Sequence, residues 1–381
     1  MKVLRIWHAA VVAEYRKKIR ALARSPEVDM LLVVPPAWRE GGRPVQYVPH
    51  PAVDAGFRTV VGRIRGTNNV RRYFFLTGLL HAMATFRPDI LDVEEEPFAF
   101  VSAQVLLYRA WLRLKSRLIL HTAHNIARPM KFPFESLQRR VLRQTDAVIV
   151  RNRSAEGVLR ARGFGGPVYL GGNGIDLTHF APGPAAGRRQ DLGLGGKKVV
   201  GFVGKLKPGK GLLTLLESFR QLPTHAALLL VGDGHLREQL AAIAQRDGFA
   251  DRLRLVGAVP HEETPAYYRL MDVCVLPSES EGRWQESFGR SLVEAMACGV
   301  PVIGSSSGAI PETIGAAGLV FPERNAAQLT QRIREVFENG ALADHLRAAG
   351  LARATAFTWE AIAGINYRAY EDVLRGAPER R

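Results

Sequence analysis

Short β-branched apolar runs alternate along this chain with longer stretches of helical period. In the first half the runs are 3–7, 29–35, 89–93, 116–122, 146–150 and 167–172. Helical stretches such as Ala13–Ser25 and Glu135–Gln144 separate them. A second series follows at 199–204, 226–232, 252–259, 273–278, 301–306 and 318–321, with helices predicted to begin near Gly211, Leu236, Pro265, Arg290 and Ala326. Apolar strands spaced by helices predict parallel sheets with crossover helices, so the fold class is α/β with two doubly wound domains in tandem. Between the series lies 180–198, rich in Gly and Pro, which predicts a linker. A last helix near Trp359–Leu374 carries Trp359, Ile362, Ile365, Tyr370 and Val373 roughly on one side, and is expected to cross back onto the first domain. The expected domains are 1–185 and 186–358, with 359–375 returning to the first.

Composition narrows the class. A hydrophobic share of 47% with 23% charged residues excludes a disordered chain. Two cysteines, Cys274 and Cys298, both in apolar sequence, cannot form a disulfide scaffold and point to a reducing cytoplasm. No run approaches the roughly 18 uncharged apolar residues of a membrane span. The N-terminal apolar patch reads as a strand entering a helix, with no small-residue cleavage site after it. The net charge of +16 is uneven: residues 1–180 hold 28 Lys+Arg against 14 Asp+Glu, whereas 181–381 hold 24 against 22. One half therefore faces something anionic.

Ligands of open α/β sheets bind beyond the carboxyl ends of the strands. The loop 204–211, GKLKPGKG, offers glycines for close backbone approach and three lysines within six residues, just before a helix. It reads either as a phosphate cradle or as a solvated basic turn. It also nearly matches the P-loop, but Gly211 stands where that motif has the hydroxyl for magnesium, which weakens an NTPase reading. Denser still is 286–302, ESFGRSLVEAMACGVPV, with Glu286 in a loop and Glu294 inside the helix that the loop opens. The amides of Ser287, Phe288 and Gly289 lie where the helix dipole favours negative charge. Ionised carboxylates offer only acceptors and so suit hydroxyl groups. A phosphate-bearing ligand flanked by polyhydroxyl groups, such as a nucleotide-sugar, would use all of these groups together.

These segments, with LLLVGDG, LRLVGAV, NGID (173–176) and the terminal FTWE helix, resemble the retaining glycosyltransferases of family 4. The resemblance implies a GT-B fold, two Rossmann-like domains facing a central cleft, with the acceptor on the first and the nucleotide-sugar donor on the second. By the same resemblance Glu286 would meet the donor sugar's hydroxyls, Glu294 the ribose, and Ser287, Phe288 and Gly289 the sugar and phosphate. Lys205, after Gly204, stands where an arginine is frequent, and with Lys210 it would neutralise the leaving diphosphate. A lysine there replaces a bidentate fork with a point charge. Val256 and Gly257 fall where backbone groups read the base. His124 matches a loop histidine near the transferred sugar or the acceptor, beside Asn125, while His121 reads as a core or shell residue. Two departures stand out: His8 replaces a usual glycine-rich turn, and Glu94, Glu95 and Glu96 stand where a histidine is common, either orienting an acceptor or offsetting basic surroundings.

The implied reaction is hexosyl transfer with retention: the diphosphate leaves on the front face and its oxygen takes the acceptor's proton. Lysines and the helix N-terminus would stabilise the growing charge, while Glu286 and His124 position the sugar. None of the thirteen aspartates stand two positions apart, so no Asp-x-Asp site is present and activity without a metal ion or other cofactor is expected. The partners implied are a nucleotide-sugar, most often UDP-linked in this family, and a hydroxyl acceptor. The basic first half, with Arg16, Lys17, Lys18, Arg20 and Arg24 on one helix and a basic–aromatic segment at 63–75, suggests an anionic membrane surface and a lipid-linked or polysaccharide envelope precursor. The expected place is the cytoplasm, peripheral on the inner leaflet. Nucleic acid is not expected, since no recognition signature appears. A nucleotide-sugar epimerase or hydrolase, or a non-catalytic nucleotide-sugar binder, remain the alternatives.

Overall fold

The computed structural model describes residues 1–40, 43–66, 69–282 and 284–376. It divides into two compact units, Met1–Gly174 with the segment from Trp359 onward, and Ile175–Thr358. The first holds a seven-stranded parallel sheet in the order Val168–Leu170, Ala147–Val150, Arg117–Thr122, Ile90–Val93, Lys2–Ile6, Asp29–Val34, Arg58–Val61. The second holds six parallel strands in the order Leu253–Gly257, Ala226–Val231, Lys198–Val203, Val273–Leu276, Val302–Ser305, Leu319–Phe321. Central strands are covered on both faces, so 90–93, 147–150 and 226–231 are buried at every position and are apolar but for Asp92, which pairs with Arg5. Each unit has its own core, and the phenylalanines Phe202, Phe219, Phe249 and Phe321 fill the second.

The boundary expected at 185/186 falls instead between Gly174 and Ile175. Ile175 and Phe180 are each 1% exposed within the second unit's core, and Phe180 stands against the rings of His261 and Tyr268. Nor is 180–198 a linker. Ala186–Asp191 is helical, Leu194 is buried, and Arg189 pairs with Asp272 at 2.6 Å. Gly and Pro there shape a packed connection.

Helix Trp359–Arg375 belongs to the first unit. Its Trp359 Nε1 donates to Glu14 at 3.1 Å, and Tyr169 donates to Asp372 at 2.6 Å. Gly174 is needed for this approach, because a Cβ there would stand 2.1 Å from the Trp359 ring. Beneath the helix Arg5, fully buried, donates to Asp92 at 2.5 Å, to Asn366 at 3.3 Å, to Tyr370 at 3.2 Å and to Glu94. Breaking such a buried pair costs about 3–5 kcal/mol, since an uncompensated charge is left behind.

The first-half helix Ala13–Ala23 turns only part of its charge outward. Arg16 is buried against Asp54 at 2.6 Å, and Lys18 is buried against Glu94 at 2.7 Å. In the basic–aromatic segment Tyr73 and Phe75 are core residues. Arg16 and Lys18 thus spend their charge inside the unit, whereas Arg24, Arg63, Arg65 and Arg72 stay exposed.

Candidate active site

In each sheet the first strand of the unit lies between strands whose connections run in opposite directions, and ligand crevices open beyond such switch points. In the second unit this brings the loop 204–211, after Lys198–Val203, beside 277–289, after Val273–Leu276. Lys210 Nζ donates to Glu286 Oε2 at 2.7 Å, Ser278 Oγ donates to the same oxygen at 3.3 Å, and the Gly289 N–H donates to Oε1 at 3.3 Å. Burial alone would raise the Glu286 carboxyl, but Lys210 and these donors hold it below its ordinary value. It is therefore an anion at neutral pH, seated against an ammonium and ahead of helix Arg290–Ala297. Gly211 decides against a P-loop: its φ is +65°, and a Cβ would stand 1.7 Å from the Pro277 carbonyl oxygen. No serine or threonine fits there.

One residue that sequence reasoning had not singled out, Trp284, completes this corner. Trp284 lies over the loop, with Lys207 Nζ at 5.0 Å and Lys210 Nζ at 5.1 Å from its ring. Two ammonium groups thus share one indole, each contact worth about 0.5–1 kcal/mol or more. Burial, then the charges of Lys210 and Lys205, lowers the Lys207 ammonium. Lys205 is exposed. Trp284 stands two residues before Glu286, and that closeness was the signal available in the sequence.

Glu294 is 4% exposed and already bonded: His261 Nε2 lies 2.9 Å from Oε1, Arg290 Nε donates to the same oxygen at 2.9 Å, and Tyr268 donates to Oε2 at 2.8 Å. Burial raises its carboxyl, while His261, Arg290 and Tyr268 more than offset this and lower it. Phe288 is buried edge-on to Phe357, and its carbonyl accepts from Thr313. Ser287 is half-buried between Glu286 and Phe288 in the same loop. Gly204 donates its N–H to Val231 at 2.9 Å. The Gly257 carbonyl accepts from the Gly232 N–H at 2.8 Å, which leaves Val256 and Gly257 at a half-buried strand end.

The first unit has a cavity of about 260 Å³ where its own strands end, lined by Trp7, His8, Glu94, Glu95, Glu96 and His121 among others. The three carboxylates have separate duties. Glu94 is held by Arg5 and Lys18, well below the usual carboxylate range despite burial, so it serves the buried network and is not a spare acceptor contact. Glu95 accepts from the His8 N–H at 2.7 Å and lies 2.7 Å from His8 Nδ1, while Trp38 and Tyr73 pack on the imidazole. Glu96 accepts from Thr122 at 2.5 Å and from the Ala123 N–H at 2.9 Å; burial keeps it raised. His121 reaches Asp92 at 2.8 Å and lines the cavity. His124 does not line it: it lies edge-on to Phe98 at 5.5 Å. Burial and the charges of Arg128, Arg162 and Arg71 push it down to about 4, so the ring is neutral at pH 7. Asn125 is half-buried in the same loop. Among the described residues no group of three His, Cys, Asp or Glu side chains is placed to hold a metal ion.

Two doubly wound parallel sheets, one ending in a basic glycine loop against an ionised glutamate, make this a GT-B-type α/β protein. Residues 187–353 match the family described as Glycosyl transferases group 1, and 19–179 match Glycosyltransferase Family 4. A GDP-mannose-dependent alpha-(1-6)-phosphatidylinositol monomannoside mannosyltransferase from Mycobacterium tuberculosis is 32% identical over 298 residues, covering 75% of this chain and 76% of that protein. A D-inositol 3-phosphate glycosyltransferase from Segniliparus rotundus is 32% identical over 70% of this chain, and the match spans 64% of its length, just under two thirds. In fold the chain is similar to sucrose-phosphate synthase from Thermosynechococcus elongatus (TM-score 0.71, 22% identity, 99% of this chain and 100% of that one). It is equally similar to HepE from Anabaena crystallised with UDP (TM-score 0.72, 19% identity, 98% and 100%). The chain belongs to glycosyltransferase family 4.

Proposed function

We propose that the protein is a retaining hexosyltransferase that moves a sugar from a nucleoside diphosphate-sugar to an acceptor hydroxyl. The observation that carries this reading is the Lys210–Glu286 pair at 2.7 Å on the basic loop of the second unit. Lys210, Lys207 and the exposed Lys205 supply positive charge for a leaving diphosphate, and Glu286 supplies an anionic acceptor for sugar hydroxyls. The departing phosphate oxygen takes the acceptor's proton, so no separate base is required. Glu294, with His261 beside it at 40% side-chain exposure, is the proposed contact to ribose hydroxyls. Charge neutralisation by lysines makes a divalent ion unnecessary in this reading: activity should survive excess EDTA, and loss restored by manganese would overturn that part.

For the donor base, the motif resemblance favours uridine, while the mycobacterial relative is named for GDP-mannose. Thermal-shift titration with UDP-, GDP- and ADP-sugars separates these, because a bound donor raises stability by mass action. Silence to all three would refute the donor reading. The acceptor side is the first unit's cavity, with Glu96 and the His8–Glu95 pair as the groups that would orient a hydroxyl. A lipid-linked envelope precursor at the cytoplasmic leaflet is the proposed acceptor class. Its support is the basic first half and the names of the two relatives, one a D-inositol 3-phosphate and the other a phosphatidylinositol monomannoside transferase. Retention is tested by NMR of the product's anomeric centre, where inversion would refute it. Donor consumed in the absence of any acceptor would favour an epimerase or hydrolase.

A further inference from the structure

Large apolar and basic side chains stand exposed on two neighbouring helices of the first unit. Helices Phe100–Trp111 and Phe134–Leu142 lie side by side, with Phe100 stacked on Phe134 at 5.6 Å and Arg109 Nη2 donating to Gln144 at 3.0 Å. On the solvent side Leu107 is 65% and Trp111 68% exposed, one helical turn apart, and Phe132, just ahead of the second helix, is 86% exposed. These are the three most exposed large hydrophobic side chains among the described residues. Arg113, Lys115, Lys131, Arg139, Arg140 and Arg143, all exposed, lie on the same two helices and their ends. Glu135 is already held by Arg139 at 3.1 Å and approached by Arg162 at 3.8 Å, so the excess stays positive. Arg139, Arg143 and Arg162 also line a recess of about 350 Å³ with Leu142 and the turn 163–166.

Exposed tryptophan and leucine with exposed cations on the same pair of helices match the headgroup–acyl boundary of an anionic bilayer, where rings and aliphatic stems sink and charged heads stay wet. A second copy of this chain would have to present acidic surface to the same cations, yet both halves of the sequence carry a positive balance, +14 over 1–180 and +2 over 181–381. We propose that this face docks the protein on an anionic membrane. Leu107, Trp111 and Phe132 enter the boundary, the arginines pair with lipid phosphates, and the recess takes one headgroup. This deepens the lipid-acceptor reading above and rests on it only for its purpose. It also replaces helix Ala13–Ala23, whose Arg16 and Lys18 point inward, as the docking element.

The test is flotation of the full chain with phosphatidylglycerol and with phosphatidylcholine vesicles at low salt. Wild type should float with the anionic vesicles only. R139Q/R140Q/R143Q should weaken partitioning on the order of a hundred-fold. L107S/W111S should weaken it about ten-fold or more, including at high salt, where charge is screened. K17Q/R24Q on the other helix should leave it unchanged. Thermal midpoints report whether each variant is folded. Binding that ignores both face variants overturns the proposal, and so does a solution dimer that L107S/W111S turns into a monomer. Failure to float with donor binding intact overturns the docking face alone. Flotation without any nucleotide response overturns the proposed function alone.

Discussion

Replacing Lys210 by methionine isolates the interaction on which the donor side turns. Methionine keeps most of the side-chain length but removes the ammonium that reaches Glu286 Oε2 at 2.7 Å. Burial then acts on the carboxyl with less opposition, since the remaining donors, Ser278 and the Gly289 N–H, both stand at 3.3 Å. A charge-assisted hydrogen bond contributes about 1.5–3 kcal/mol, and at 1.36 kcal/mol per pH unit its loss moves the titration up by about one to two pH units. The sign follows from the carboxylate being the working form: it exists above the titration point and is lost as pH falls through it. The acid limb of the transfer rate, or of donor affinity, should therefore rise by that amount in K210M. Loss of one preorganised charge from the leaving group should also lower kcat about 10²–10³-fold at neutral pH. The assay is donor turnover between pH 4 and 8 for wild type and variant. A rate loss with the acid limb unmoved would refute the coupling of Lys210 to Glu286.

Trp284→Leu removes the indole shared by Lys207 and Lys210; at about 0.5–1 kcal/mol per contact, donor affinity should fall about five- to thirty-fold, and Trp284→Phe should recover most of it in an isothermal titration with the nucleoside diphosphate. Gly211→Ser, which would restore P-loop spelling, should instead lower the thermal stability of the second unit by about 2–4 kcal/mol, because it forces both a left-handed backbone and a clash with the Pro277 carbonyl; an unchanged melting curve would sink that argument. His124 is depressed to about 4, so its stability contribution is complete above its ordinary 6.5 and is lost as pH falls toward 4; the full difference is about 3 kcal/mol, and solvent screening of a half-buried ring leaves about 1–2 kcal/mol. His124→Gln should therefore lose that much less stability than wild type between pH 7 and pH 4.5 in urea unfolding, and equal losses would count against the basic-cage account.

Strands buried on both faces are legible because burial demands an uninterrupted apolar run, as in AVIV (147–150) and AALLLV (226–231). The edge strand Arg58–Val61 was not legible for the opposite reason: it pairs on one side only, and its ends are exposed. The hairpin Ala37–Glu40 with Arg43–Gln46 likewise carries Arg39, Pro44 and Gln46 among few apolar residues. Gly and Pro between 180 and 198 misled for a related reason. These residues specify backbone shape, and a shaped backbone serves a packed connection as well as a free one, so only the burial of Phe180 and Leu194 decides which it is.

The site divides along a similar line. Lys210 and Glu286 are found from the sequence because each sits in a loop between a strand and the helix that follows it, Lys210 between two glycines and Glu286 ahead of SFG, where the chemistry of neighbours in the chain already implies a ligand. The first unit resists that logic, since its polar residues are assigned by partners far away in the chain. Arg5 meets Asp92, Glu94, Asn366 and Tyr370, contacts spanning 87 to 365 residues of sequence. Three consecutive glutamates therefore take three unrelated roles: Glu94 balances a buried guanidinium, Glu95 holds His8, and Glu96 ties down the start of the loop that carries His124. By the same rule His121, at the end of its strand and oriented by Asp92, reaches the cavity, while His124, three residues on, turns away into arginines and Phe98. Residue type and loop position rank the two histidines one way, and the distant aspartate ranks them the other. An acceptor-side role in this chain is thus better sought at His8, Glu96 and His121 than at His124.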